Sequence, residues 1–230
     1  MKPRLLAQLV GGVFYTTACF GVPLFLPVWT LDWARAWVFL GLVFVMAAVL
    51  MFSLFPHRQG LLDERYKPPI QRGQPLLDRV LTLALLVSFF GVLVFTALDV
   101  FRFRLLGTTS LPVAAFGLAL FAGGWTVMAL AVRDNAFAAL VVRHQEERRQ
   151  VVVDRGTYAV VRHPMYAGGI PLLLGMPLFL GSYAGALLVL VPIVTLVLRV
   201  LVEERLLRER LEGYDAYTRK VRWRLIPFLW

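Results

Sequence analysis

Long runs without a charged side chain decide what this 230-residue chain can become. A charge at the bilayer centre costs roughly 3 kcal/mol on insertion scales, so membrane spans show as gaps between charged residues. Four gaps are plain: Leu5 to Thr30, Ala36 to Pro56, Val80 to Leu98 and Ser110 to Val132. Each is near the ~20 residues needed to cross ~30 Å of hydrocarbon at ~1.5 Å per residue. A fifth gap, Ala167 to Leu198, would form one helix of about 48 Å, too long even when tilted. Gly181, Ser182, Tyr183, Ala184 and Gly185 near its middle predict a break. The expected hairpin has a short first helix and a second that runs through Arg199 into a charged tail. Pro171, Pro177 and Pro192 are tolerable there if neighbouring helices satisfy the freed carbonyls.

The expected fold is therefore an all-α integral membrane protein, with four plain transmembrane helices plus a C-terminal helical hairpin, five to six spans in all. Composition agrees, with 59% hydrophobic residues, 17% charged residues and a mean hydropathy of +0.72. Residues 1–132 read as an N-terminal transmembrane region. Residues 133–230 read as a connector, the hairpin and a tail, where chemistry could reside. Lys2 and Arg4 precede the first run, but that run exceeds a signal peptide's apolar core and no small-x-small site follows, so it is read as a span.

Alternating the loops gives the orientation. With a cytoplasmic N-terminus, 21 basic residues fall inside and three (Arg35, Arg102, Arg104) outside, a clear positive-inside pattern that puts both termini in the cytoplasm. This accounts for the net charge of +10 through topology and anionic headgroups, and leaves nucleic-acid binding without support. Few Lys beside many Leu, Val, Ala and Arg point to a GC-rich prokaryote, hence to its inner, cytoplasmic membrane.

Cys19 excludes an internal disulfide and reads as a buried small hydrophobe. Three histidines and one cysteine without ligand spacing predict no metal site. There is no P-loop and no Rossmann glycine fingerprint. The uncharged span centres lack the ionisable relay of an ion-coupled pump, which weakens a transporter reading without removing it.

Chemistry concentrates where the connector meets the hairpin, from Gln150 to Gly169. Pro164 keeps His163 out of helical geometry, so the imidazole is presented just before a helix start, whose free amides favour an anion. Gly168 and Gly169 would admit a ligand or a second helix close to the backbone. The competing reading is an interfacial turn in which Arg162 and Tyr166 merely anchor at headgroup level. Arg199 interrupts an apolar run, where an ionisable group is a functional candidate whose partner must be named; Glu203, four residues on, is the nearest in sequence. His57 and His144 read as interface or solvated histidines. Tyr214 and Tyr217, three apart, either pack the tail or line a pocket.

Arg162, His163, Pro164, Tyr166 and Gly168, followed by Arg199, Glu203 and Glu204, then Tyr214, Tyr217, Leu225 and Pro227, resemble the isoprenylcysteine carboxyl methyltransferase family of integral membrane methyltransferases, and less closely the phospholipid methyltransferases. The resemblance covers roughly residues 125–230. It implies S-adenosylmethionine, with S-adenosylhomocysteine as product, in a cytoplasm-facing pocket. The positions carried over for the cofactor are Gln150, Val151, Val152, Val153, Tyr158, His163, Pro164, Met165, Tyr166 and Glu203. Arg199 would be catalytic and face the acceptor, with Tyr214 and Tyr217 also on the acceptor side. No metal is implied.

The residues suit such a ligand. Val151 to Val153 and Met165 would flank adenine, Glu203 would accept from the ribose or ammonium, and His163 with the following amides would meet the carboxylate. A carboxylate acceptor such as an isoprenylcysteine-like α-carboxyl needs no general base and could be held by Arg199 while its lipophilic part enters from lipid. A phospholipid amine or small thiol would need deprotonation, by His163 or a tyrosine. A transporter or scaffold without catalysis is the rival of another class.

Overall fold

The computed structural model describes residues 3–57, 59–71, 73–137 and 150–230. Its elements are α1 (Pro3–Phe25), α2 (Ala34–Leu54), α3 (Gln59–Arg65), α4 (Leu76–Leu98), α5 (Leu111–Asp134), α6 (Pro164–Leu180), α7 (Tyr183–Leu188), α8 (Leu190–Arg210) and α9 (Tyr214–Lys220). No strand occurs among the described residues, only an isolated antiparallel bridge between Thr108 and Ser182. Among the described residues, five helical stretches are long and apolar enough to cross a membrane: Pro3–Phe25, Ala34–His57, Leu76–Phe103, Leu111–Asp134 and Tyr183–Arg210. The shorter apolar helix Pro164–Leu180 is the first arm of the expected hairpin. The all-α multi-pass architecture read from the sequence is the one observed.

Local chemistry explains the departures. α1 stops at Phe25, short of Thr30, because Leu26 precedes Pro27 and the residue before a proline disfavours the helical region. The hairpin turns at Gly181, whose φ of +113 suits glycine. After α7 the helix restarts at Leu190, since Pro192 has no N–H to offer the carbonyl of Leu188. The short α3 was not foreseen. Cys19 is half-buried, a correction to its reading as a buried hydrophobe: it lies on the partly exposed side of a lipid-length helix.

The chain forms two compact units. The first comprises Met1–Gln59, Ser88–Gly123 and Pro171–Leu190. Its core is aromatic: Phe20 packs on Phe39, Phe89 and Phe121 with ring centroids 5.6, 5.4 and 6.0 Å apart, and Phe39 lies 4.7 Å from Phe121. Such pairs add about 0.5–1.5 kcal/mol each beyond area burial. Helices α5 and α6 touch backbone to backbone here, for a Cβ on Gly175 would collide with the Gly117 carbonyl oxygen. Large apolar side chains such as Phe14, Trp37 and Val49 remain exposed, as a lipid-facing surface requires.

The second unit comprises Gly60–Val87, Gly124–Ile170 and Val191–Trp230. Gly168 repeats the close approach of α6 to α5, 2.6 Å from an added Cβ to the Gly124 carbonyl oxygen. Of the two neighbours expected for this glycine, ligand or helix, a helix fills the place. Asp134, at the end of α5, accepts from the Thr157 amide at 2.8 Å and its hydroxyl at 3.1 Å, fixing the turn Gly156–Ala159. Gly156 has φ +60, and any Cβ there would collide with the Asp134 carboxylate.

Candidate active site

The second unit carries the chemistry-bearing motifs. Pro164 opens α6, the helical position that loses nothing by lacking an N–H. The two residues before it pair with the tail: the Arg162 amide donates to the Trp223 carbonyl at 2.9 Å and the His163 amide to Arg224 at 3.0 Å. The Arg162 side chain is buried, donating through Nη1 to the carbonyls of Val221 (2.9 Å) and Arg222 (2.8 Å). A headgroup anchor would be exposed, so the interfacial-turn reading fails at Arg162. His57, in contrast, is exposed as read, and His144 lies outside the described residues.

Glu204 is the hub of this closure. Its buried Oε1 accepts from Arg162 Nε at 2.6 Å and lies 3.3 Å from His163 Nε2, while Oε2 accepts from Arg224 Nε at 2.9 Å. One carboxylate thus joins α8, the start of α6 and the C-terminal tail. A buried carboxylate is stable only when so compensated. It leaves His163 with one ring nitrogen committed to Glu204.

Glu203, the next residue on α8, points elsewhere, because consecutive helical side chains diverge by about 100°. Its Oε2 accepts from Tyr166 Oη at 2.7 Å. One turn back on α8, the buried Arg199 donates from Nε to Asp78 Oδ1 at 2.9 Å, and its guanidinium carbon lies 6.0 Å from the centre of the Tyr166 ring. Asp78 is fully buried in the first turn of α4, where an acid suits the helix dipole, and its Oδ2 accepts from Gln74 Nε2 at 2.5 Å. The partner that an intramembrane arginine demands is thus on α4, 121 residues away in sequence. Counted at formal charge, Arg199, Asp78 and Glu203 leave one negative charge in excess.

Asp78 and Gln74 were missed in the sequence. The signal was there in part: Asp78 is the last acid before the charge-free run that starts at Val80. Nothing local tied it to Arg199.

The other expected positions fall into two groups. Tyr214 and Tyr217 are buried with Leu211 and Val221, and Val152 and Leu207 pack against them. Tyr217 Oη donates to the Tyr158 carbonyl at 2.7 Å, so α9 is clamped onto the connector. The Tyr214 hydroxyl is buried without a hydrogen-bond partner. Burial pushes the phenols of Tyr158, Tyr214 and Tyr217 above their ordinary range, keeping them neutral. Gln150, Val152, Val153, Tyr158 and Met165 are half-buried, and Val151 is exposed. Tyr158 is close enough to Glu203 and to Arg65 of α3 for both charges to act on it.

Fold and site together define a multi-pass helical membrane protein with a buried ionisable cluster beside half-buried polar and apolar positions. Residues 112–212, just under half of the chain, match the family model of phospholipid methyltransferases. That segment is similar to the phospholipid methyltransferases, integral membrane methyltransferases related to the isoprenylcysteine carboxyl methyltransferases, in line with the resemblance read from the motifs. No curated protein matches the chain.

Proposed function

We propose that this protein is an S-adenosylmethionine-dependent methyltransferase of a prokaryotic inner membrane, acting at the cytoplasmic face on a lipophilic acceptor. The observation that carries the proposal is the juxtaposition of Tyr166–Glu203 with Arg199–Asp78, on α8, the short α6 and the span-length α4, with Tyr166, Arg199 and Glu203 inside the segment that matches a methyltransferase family. Residues 133–230 would form the catalytic region. Bound there, the sulfonium cofactor would supply an electrophilic methyl group.

The residues fit such a ligand. Two buried polar groups without a partner, the Tyr214 hydroxyl and the Arg65 guanidinium edge, lie within electrostatic reach of Glu203 or of Tyr158 beside it, as expected where a polar ligand completes the bonding. Glu203, oriented by Tyr166, accepts a hydroxyl or ammonium proton and favours neighbouring positive charge. Val152, Val153 and Met165 supply apolar contact to an adenine, while Pro164 starts the helix whose amides, with His163, face a carboxylate. Buried Arg199, held by Asp78, cannot swing away and so orients an acceptor; fixing acceptor and donor in line in a dry site supplies most of the rate.

Two acceptor classes remain in view, each for its own reason. A carboxylate, as in an isoprenylcysteine-like acceptor, suits the positive charge of the Arg199 guanidinium and needs no base. A phospholipid amine suits the excess negative charge of Arg199, Asp78 and Glu203, and agrees with the family matched.

The test is titration calorimetry of S-adenosylhomocysteine into the solubilised protein, followed by transfer of labelled methyl to membrane lipids and to prenylated cysteine analogues. Micromolar binding that Glu203→Gln weakens supports the reading, and its absence in folded wild type rejects it. Label released by alkali as methanol marks an ester; alkali-stable label marks an amine.

A further inference from the structure

Arg65 belongs to no motif, yet its state is the most unusual of any side chain in the second unit. It closes α3, and its Nε and Nη2 are shut off from the surface with no hydrogen-bond partner among the described residues. The adjacent carboxylate, Glu64, is held by Lys67 Nζ at 2.5 Å. Burial pulls the guanidinium down to about 10, and its one opposing influence is the Tyr158 phenol. Folded chains rarely leave a buried charge unpaired, and a guanidinium so placed asks for an anion.

The orphaned atoms also specify the anion's shape. Nε and Nη2 form one edge of the guanidinium, two parallel N–H groups that match the two oxygens of a carboxylate or phosphate. The edge lies beside Tyr158, whose hydroxyl is already engaged by Asn135 and which also feels the charge of Glu203. We infer that Arg65 is a further oxyanion-binding residue of this site, its Nε–Nη2 edge closing bidentately on a carboxylate or phosphate of the bound ligand. The inference rests on the proposed methyltransferase reading and extends it: Arg65 takes the negative end of a ligand whose positive part lies toward Glu203. Such an oxyanion comes either from the amino-acid end of the methyl donor or from a lipid headgroup.

Calorimetry on the full chain in detergent separates these sources, using wild type, Arg65→Met and Arg65→Lys. The probes are S-adenosylhomocysteine, its decarboxylated analogue, and phosphatidic acid in mixed micelles. If the donor's carboxylate is the partner, wild type prefers S-adenosylhomocysteine over the decarboxylated analogue by tenfold or more, and Arg65→Met erases that preference. If a lipid phosphate is the partner, Arg65→Met instead loses about tenfold in affinity for phosphatidic acid. Arg65→Lys keeps the charge without the fork and recovers only part of either effect; full recovery would overturn the bidentate geometry. Thermal unfolding without ligand supplies the independent readout. Arg65→Met unfolds at the wild-type temperature or above it, because an unpaired buried charge has gone. A lower unfolding temperature together with unchanged affinity for both probes would make Arg65 a structural residue and overturn the inference. Wild type that ignores S-adenosylhomocysteine yet binds phosphatidic acid through Arg65 would sink the methyltransferase reading and leave the oxyanion site standing.

Discussion

The two units differ in how they treat their buried charged groups. In the first, the charged groups close on neighbours within the unit: Arg35 donates to the Thr109 hydroxyl at 3.0 Å, Thr109 to the Leu178 carbonyl at 2.9 Å, and buried Asp99 accepts from Ser182 Oγ at 2.6 Å, while the atom left without a partner among the described residues is a neutral one, the Thr96 hydroxyl. Ser182 in turn caps α7 by accepting from the Gly185 amide at 2.7 Å. The second unit gathers four arginines (Arg65, Arg162, Arg199, Arg224), three carboxylates (Asp78, Glu203, Glu204) and the tyrosines 158, 166, 214 and 217, and leaves Arg65 and Tyr214 with unsatisfied atoms. A region that only holds a shape can satisfy its polar atoms internally. One that binds a polar ligand keeps some of them waiting, at a cost in stability that packing elsewhere offsets.

The harshest way to break that contrast is at Glu204. Glu204→Ala strands Arg162 and His163 in a buried setting and frees Arg224, which should cost about 3–5 kcal/mol. Thermal unfolding in detergent is expected to fall sharply, with little folded protein at room temperature. A variant as stable as wild type would show that the closure of the tail does not depend on this carboxylate.

Arg199→Ala comes next. Methyl transfer should fall at least ~100-fold, about 2.7 kcal/mol of transition-state stabilisation, with the loss mostly in acceptor use. Affinity for S-adenosylhomocysteine should stay within about threefold. Equal losses in both would move Arg199 from the acceptor to the donor. Asp78→Asn, which keeps the shape and removes the counter-charge, should reproduce part of the catalytic loss, because Asp78 acts by fixing the guanidinium.

Glu203→Gln should weaken S-adenosylhomocysteine binding about tenfold, near 1.4 kcal/mol, and Tyr166→Phe somewhat less, since it removes only the hydroxyl that orients Glu203. Calorimetry on both variants checks the order. A larger effect from Tyr166→Phe would mean that the phenol itself touches the ligand.

The matching probe of the first unit is Ser182→Ala. It removes a helix cap, worth about 1 kcal/mol, and one donor to Asp99. Unfolding should shift down by a few degrees while S-adenosylhomocysteine affinity holds. Lost affinity would dissolve the division between a shape-holding unit and a ligand-binding one.

How far the sequence carries the reader depends on the range of the physics involved. The spans were legible because the penalty for a charge in hydrocarbon acts residue by residue, and the hairpin break because Gly181 and its neighbours are local signals. The start of α6 at Pro164 was legible for the same reason. The early end of α1 before Pro27 and the break of the hairpin's second arm ahead of Pro192 do not show in hydropathy, because each is set by a single proline inside an apolar run. In the site, the motif residues stood out, yet their pairing did not. Arg199 finds Asp78 across 121 residues, and Glu204 rather than Glu203 takes the cations, choices settled by which face of α8 meets α4, α6 and the tail. Arg65 was invisible in sequence because a basic residue in a basic loop looks solvated until burial is known.

The smallest effect tests whether burial, rather than ion pairing as such, gives the second unit its character. Asp154 and Lys220 form an exposed pair, Nζ to Oδ2 2.7 Å, and the ammonium holds the Asp154 carboxyl below its ordinary value. A depressed carboxyl contributes stability above its unfolded value of about 3.9, and loses it as pH falls through the lower folded value. Water and salt screen such a pair, so its share should be near the limit of measurement. Carbon-detected magnetic resonance of Asp154 should show a low titration midpoint that returns toward the ordinary range in Lys220→Met and in about 1 M salt, where the screening length shrinks to about 3 Å. The unfolding temperature near neutral pH should hardly move in that variant. A drop comparable to that of Glu204→Ala would show that the connector and α9 are held together by charge at the surface, and that the apolar contact of Val152 with Tyr214 and Tyr217 is secondary.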